Sequence, residues 1–224
     1  METISHRLPV LTQEFCQSYS DKLFALRPFW RPRHALVPFY TVGLAAYLDA
    51  YYLAPTATDT GVITTSDYLD SDNLQANNQW LAQQFTELYA RLCTLLSAHL
   101  KAPVQLTDTA AYPGFHIYLA HPVFAHPVAQ IHQDRQYRQA YPNTNFAPQE
   151  LFSFTLGLRI PKGSGLDIWP TDNQPPEFIS YTEGDMVIHN GCLTHQAVIN
   201  STEVPRITLQ GHAVKRQDRF EIYW

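Results

Sequence analysis

The sequence predicts an α+β protein: a jelly roll of short β-strands with N-terminal helices packed on one of its sheets. Three observations predict it. Up to Pro103 the apolar residues recur at three- and four-residue steps, the period of a helix that buries one face. Beyond Pro103 the chain breaks into short runs rich in β-branched and aromatic residues, punctuated by Pro, Gly and Asn, as in sheets built from many short strands. A hydrophobic content of 45% against 16% charged residues places the chain among globular proteins. A single domain over 1–224 is expected, with 1–103 as mainly helical support and 104–224 as the jelly-roll core.

The elements follow in order. In "LTQEFCQSYSDKLFAL", Leu11, Phe15, Tyr19, Leu23 and Leu26 form one apolar stripe and predict a first helix. "RPFWRPRHALVP" holds three prolines and reads as a connector. "FYTVGLAAYLDAYYLA" predicts a second apolar helix. The Thr/Ser/Asp-rich stretch after it reads as an irregular loop with a short strand at 62–64. "NQWLAQQFTELYARLCTLLSAHL" carries Trp80, Leu81, Phe85, Leu88, Tyr89, Leu92, Leu95, Leu96 and Leu100 on a wide stripe suited to packing on a sheet. Pro103 ends it. Nine strand-like runs follow: "FHIYLA", "VAQIHQ", "LFSFTLGLRI", "GLDIWP", "EFISYT", "DMVIHN", "HQAVIN", "RITLQGHAV" and "FEIYW".

Charge and composition exclude several classes of function. A net charge of −5 gives no overall attraction to nucleic acid or to an anionic membrane, so neither is expected as a partner. "METISHRLPV" lacks the basic and apolar regions of a secretion signal, and no apolar run approaches the ~20 residues needed to span a bilayer. Cys16, Cys93 and Cys192 are odd in number and far apart, which fits reduced thiols in a cytoplasmic protein better than a disulfide framework.

Chemistry enters with "AQIHQDRQY", residues 129–137. On a strand, Gln130, His132 and Asp134 share one face, because successive side chains point to opposite sides. With 10 histidines and 12 aspartates in 224 residues, His-x-Asp arises by chance roughly half a time, so it carries weight only in company. That company lies downstream: Gly184 and Asp185 open a strand, His195 follows, and then Arg206 and Thr208, two residues apart and therefore on one strand face. Two imidazoles and a carboxylate on one face of an octahedron leave three positions open, the arrangement of non-haem Fe(II) oxygenases. An α-keto acid chelated there leaves a far carboxylate. A planar guanidinium and a hydroxyl are suited to hold it, as Arg206 and Thr208 provide.

In these positions, over about residues 112–214, the sequence resembles the 2-oxoglutarate/Fe(II)-dependent oxygenases of the double-stranded β-helix class. The resemblance implies Fe(II) held by His132, Asp134 and His195, and 2-oxoglutarate held by Arg206 and Thr208, with O₂ as the second co-substrate. Tyr118, on "FHIYLA", is a further candidate for holding 2-oxoglutarate. Related halogenases carry a small residue in place of the carboxylate, so Asp134 implies hydroxylation or a kindred C–H oxidation, with release of succinate and CO₂. Gln130 is a candidate to hydrogen-bond Asp134 or the substrate, or else faces solvent at a strand end. His116, His189, Gln210 and His212 are further polar residues on strand-like runs and candidates for supporting the metal or touching substrate.

Two other readings compete. A metal-binding jelly roll of the cupin kind would do without 2-oxoglutarate, but the His-x-His and separate Glu usual there are absent. A non-catalytic binding module would not need all five motif positions. The substrate class expected is a small molecule, such as an amino acid or a natural-product intermediate, with a peptidyl residue as the second class.

Overall fold

The computed structural model describes residues 4–50, 66–171 and 173–224. In chain order it contains β1 (Ser5–Pro9), α1 (Gln13–Ala25), β2 (Arg31–Pro32), β3 (Phe39–Val42), α2 (Ala46–Asp49) and α3 (Ser71–Leu100). Then come β4 (Val104–Leu106), β5 (Gly114–Tyr118), α4 (Tyr137–Ala140), β6 (Leu151–Arg159), β7 (Gly165–Trp169) and β8 (Glu177–Ser180). The chain closes with β9 (Asp185–Asn190), β10 (Thr194–Val198), β11 (Arg206–Arg216) and β12 (Arg219–Tyr223).

Among the described residues the strands form two sheets. The larger has nine strands, in the order β1-β9-β6-β11-β5-β3-β2, with β12 joined to β11 and to β4. The smaller runs β10-β7-β8. β11 is long enough to pair along one side with β6 and along the other first with β5 and then with β12. Two facing sheets of this kind, antiparallel except where β4 pairs with β12, make the jelly roll that the strand pattern predicts.

The helices cover the outer face of the large sheet. Asp70 caps α3 by accepting from the backbone N–H groups of Asp72 and Asn73, and Lys101 ends it in the left-handed conformation at φ 52°. Leu81, Phe85, Leu88, Leu92 and Leu96 are buried and share one core with Leu23 of α1 and with Phe115, Ile117, Phe154, Leu156, Met186, Ile188, Ile207 and Leu209 of the sheet. Each such side chain contributes about 1.5–3 kcal/mol on burial. No helix among the described residues is long and apolar enough to cross a membrane.

The expected second helix is not one element. Phe39–Val42 is a strand that pairs with β5, and Gly43, at φ +105°, turns the chain before the single helical turn of α2. An edge of the sheet was free to take a partner there, and pairing overrode the local helical pattern. The rest of that expected helix, and the short strand expected at 62–64, lie outside the described residues. "VAQIHQ" is not a strand either. Its backbone pairing with a sheet is one isolated antiparallel bridge, His132 to His195, and Pro127 just before it has no N–H to give a ladder.

One close approach holds β3, β5 and the last residue together. A Cβ on Gly114 would collide with the indole of Trp224 and lie 2.7 Å from the carbonyl oxygen of Val42. Gly114→Ala is therefore expected to cost about 1–3 kcal/mol through overpacking, read as a lower urea midpoint with an unchanged slope.

Candidate metal centre

β11 shows how the sheet builds the site. Ile207 and Leu209 point to the helices, while Arg206, Thr208, Gln210 and His212 alternate with them and point inward. Across the ladder, Arg206 pairs with Tyr118, Thr208 with His116, and His212 with Ser153. The inner face of the large sheet is thus polar, and the outer face apolar.

His195 stands on β10 of the small sheet, opposite this polar face. The bridge to His132 is reciprocal: His132 N–H donates to the His195 carbonyl at 3.0 Å, and His195 N–H to the His132 carbonyl at 2.8 Å. This places the two rings 4.4 Å apart, centre to centre. Asp134 is tied by its N–H to the Gly191 carbonyl at 2.8 Å. Its carboxylate lies 3.6 Å from His132 Nε2 and 3.4 Å from His195 Nε2. One ligand atom from each of the three residues falls within 4.8 Å of the others.

The hydrogen bonds behind the rings settle their tautomers. His132 Nδ1 is 2.8 Å from the Gln130 carbonyl, and His195 Nδ1 is 2.8 Å from the Leu193 carbonyl. A carbonyl only accepts, so each ring carries a proton on Nδ1 and turns Nε2 to the centre. Burial lowers the His195 pKa, but Asp134 beside it raises it above the ordinary histidine value on balance, so a metal bound there takes the place of a proton shared between them. Two imidazole Nε2 atoms and a carboxylate are a suitable donor set for Fe(II). Burial by itself would raise the Asp134 pKa, but the imidazoles of His212, His195 and His189 hold it well below the usual carboxylate range. It is a carboxylate near neutral pH, as a ligand must be.

A cavity of about 830 Å³ opens beside the triad. Arg206 is on its wall and 3% exposed, with its Nε donating to Ser164 Oγ at 2.9 Å. The rings of Tyr118 and Tyr181 lie 5.5 and 5.4 Å from its guanidinium carbon. Among the described residues no carboxylate pairs with it, although burying an uncompensated cation is costly. That unmatched charge fits the far carboxylate of a bound dicarboxylate.

Of the residues singled out in the sequence, His132, Asp134 and His195 come together. Tyr118, Gln130, His116, His189, Gln210 and Arg206 line the cavity. Thr208 and His212 lie on the same sheet face but are enclosed, and neither Thr208 Oγ1 nor His212 Nε2 has a partner among the described residues. The amide that reaches Asp134 is not Gln130's. Gln136 Nε2 donates to Asp134 Oδ1 at 3.1 Å, while Gln130 supplies its carbonyl to His132. Without strand geometry from 128 to 134, the Gln130 side chain, four positions earlier, does not follow the aspartate; Gln136, in the turn after it, reaches it.

Sequence reading missed Tyr47, Tyr181, Ser153 and Arg33. Tyr47 lies on α2, and its hydroxyl is hydrogen-bonded to His116 Nε2 in the cavity wall. Burial, with Arg206 and Arg33 nearby, keeps His116 neutral by pushing its pKa well below the ordinary histidine value. His189 is pushed down to about 4, chiefly by burial and by His195. Arg33 anchors α2 through two 2.7 Å hydrogen bonds to Asp49, which also accepts from the Ala45 N–H. Ser153 had a signal: with Thr155 it alternates with Phe152, Phe154 and Leu156, which gives the run one polar and one apolar face.

No family model and no curated protein matches this sequence. Solved structures do match its fold. An N-substituted L-amino acid dioxygenase from Burkholderia ambifaria, solved in complex with α-ketoglutarate, superposes with a TM-score of 0.56 at 10% identity, covering 100% of this chain and 87% of that one. The non-haem α-ketoglutarate-dependent epimerase SnoN from nogalamycin biosynthesis gives 0.54 at 14% identity, over 95% and 81% of the two chains. An oxidoreductase of the 2OG-Fe(II) oxygenase family from Burkholderia pseudomallei gives 0.52 at 13%, over 97% and 86%. The chain has the double-stranded β-helix fold of these proteins.

Proposed function

We propose that this protein is a non-haem Fe(II)/2-oxoglutarate-dependent oxygenase that hydroxylates a small molecule and releases succinate and CO₂. The observation that carries this reading is the convergence of His132, Asp134 and His195 beside a cavity whose wall holds a buried Arg206 that pairs with no carboxylate among the described residues. A triad alone would suit any divalent-metal protein. The arginine adds a place for a dicarboxylate.

Iron held by the three side chains would supply the activation of O₂, coupled to oxidative loss of CO₂ from 2-oxoglutarate. The chain's own residues do the rest. His132 and His195 keep their protons on Nδ1, and Asp134 keeps its charge. Arg206, braced by Ser164 and flanked by Tyr118 and Tyr181, holds the far carboxylate of the co-substrate. The remaining wall mixes apolar residues (Val37, Phe39, Phe124, Val128) with the polar Tyr47, His116 and Gln210. Its volume lies in the range of about 300–1,000 Å³ typical of small-molecule sites, which supports an amino acid or natural-product intermediate as substrate over a peptidyl residue. The three thiols, free in this structure, support a cytoplasmic setting.

The reading is tested by adding Fe(II) and then 2-oxoglutarate without oxygen. A weak visible charge-transfer band is expected only with both present. A screen of amino acids and small natural products, read as substrate-stimulated succinate formation, then identifies the substrate. A protein that binds Fe(II) but gives no band and no succinate would leave the metal-only jelly roll as the better description.

A further inference from the structure

The large sheet carries two buried polar side chains aimed at Asp134. Ser153 on β6 and His212 on β11 are direct cross-strand partners, 2% and 3% exposed. Ser153 Oγ is hydrogen-bonded to Asp134 Oδ2 and lies 3.0 Å from His212 Nδ1. A carboxylate only accepts, so the serine proton goes to Asp134. The serine oxygen then accepts from His212, which places the imidazole proton on Nδ1. His212 Nε2 is left buried as an acceptor with no partner among the described residues. An apolar side chain would fill that place at less cost to stability.

The segment that carries Asp134 explains why the arrangement is needed. Residues 128–134 pair with a sheet by backbone only at the His132–His195 bridge, with side-chain hydrogen bonds from Gln196 to the Ala129 carbonyl and from Gln133 to Thr194, and Asp134 has one backbone tie, to Gly191. No ladder fixes the direction of the aspartate side chain. Its two oxygens are instead held from opposite quarters: Oδ1 by Gln136 from the same loop, and Oδ2 by Ser153 from the rigid sheet. The loop has no ladder of its own, whereas β6 and β11 lie in the middle of the nine-stranded sheet.

We propose that Ser153 and His212 are positioning residues for the metal centre: a hydrogen-bond chain, His212 to Ser153 to Asp134, that aims the carboxylate at His132 and His195 before metal arrives. This rests on reading the triad as a metal centre. Hydrogen-bond partners standing behind metal ligands typically change metal affinity 10- to 100-fold.

Co(II), which reports its ligands in the visible spectrum, is the probe. Wild-type protein, Ser153→Ala, His212→Leu and His212→Asn are titrated with Co(II), and the metal-free form of each is melted. Ser153→Ala is expected to lose on the order of 10- to 100-fold in Co(II) affinity with an altered visible spectrum, while the metal-free protein melts close to wild type. His212→Leu should move the same way. His212→Asn should recover most of the loss, because its amide N–H stands where Nδ1–H stood. If Ser153→Ala does not fold, the two His212 variants carry the test. Wild-type affinity and spectrum in Ser153→Ala and His212→Leu would overturn the proposal, as would an affinity loss that merely follows a lower melting temperature. A wild-type protein that took up no Co(II) would overturn the metal-centre reading itself, a distinguishable result.

Discussion

Asp134→Ala is expected to weaken metal binding severely and to abolish turnover. Asp134 is the one anionic member of the triad, it is buried, and the imidazoles around it keep it ionised. Interaction between unit charges about 4 Å apart is worth about 4 kcal/mol at an effective dielectric of 20, so the loss in Fe(II) affinity should be on the order of 1,000-fold. His132→Ala should also be severe but leaves the charge. Anaerobic Fe(II) titration followed by the 2-oxoglutarate-dependent visible band reads both. The metal-free Asp134→Ala protein should stay folded, since the backbone bridge between His132 and His195 is untouched. A band of wild-type intensity in Asp134→Ala would mean that the three side chains do not act together as ligands.

Arg206→Lys is the second large effect, and it strikes 2-oxoglutarate while sparing iron. Lysine keeps the charge but loses three things at once: the planar fork, the Nε–H to Ser164 and the contact with the faces of Tyr118 and Tyr181. A lost charge-assisted hydrogen bond costs about 1.5–3 kcal/mol, so 2-oxoglutarate affinity should fall roughly 10- to 150-fold. Fe(II) affinity should hold within about twofold, because Arg206 is not among the three donors. Thr208→Val makes a fitting comparison. Its hydroxyl is enclosed, two residues along the strand from Arg206, without a partner among the described residues, and removing it should cost at most about 1 kcal/mol. Titration of 2-oxoglutarate into the Fe(II)-loaded variants separates the cases. Equal affinity in wild type and Arg206→Lys would remove the arginine from the co-substrate site, and with it the strongest ground for an oxygenase over a metal-only jelly roll.

Both predictions come from positions legible in the amino-acid sequence. Alternation along β11 was enough to put Arg206, Thr208, Gln210 and His212 on one face, because strand side chains alternate whatever the neighbours are. The apolar stripe of α3 was legible for a similar reason, since its period is set by the helix itself. So was the chemistry of two histidines, an aspartate and an arginine, which depends on residue type and order.

What the tertiary structure alone decided concerns segments whose local pattern is ambiguous. Residues 39–42 carried a helical pattern yet became a strand, because the free edge of β5 offered hydrogen bonds that no local period encodes. That strand and the turn after it bring Tyr47 into the cavity wall. Residues 128–134 alternated like a strand yet kept one bridge, so the partner of Asp134 proved to be Gln136 and not Gln130. Ser153 and His212 met Asp134 only through the cross-strand register of β6 and β11 and the docking of a distant loop. The sequence alone determined which faces are apolar and which residue types can bind iron and a dicarboxylate, for those follow from periods of two and 3.6 and from side-chain chemistry. Which segments pair, and which polar groups then stand behind the ligands, was decided by long-range contacts, because competition for free sheet edges and buried hydrogen-bond partners is settled only in the folded chain.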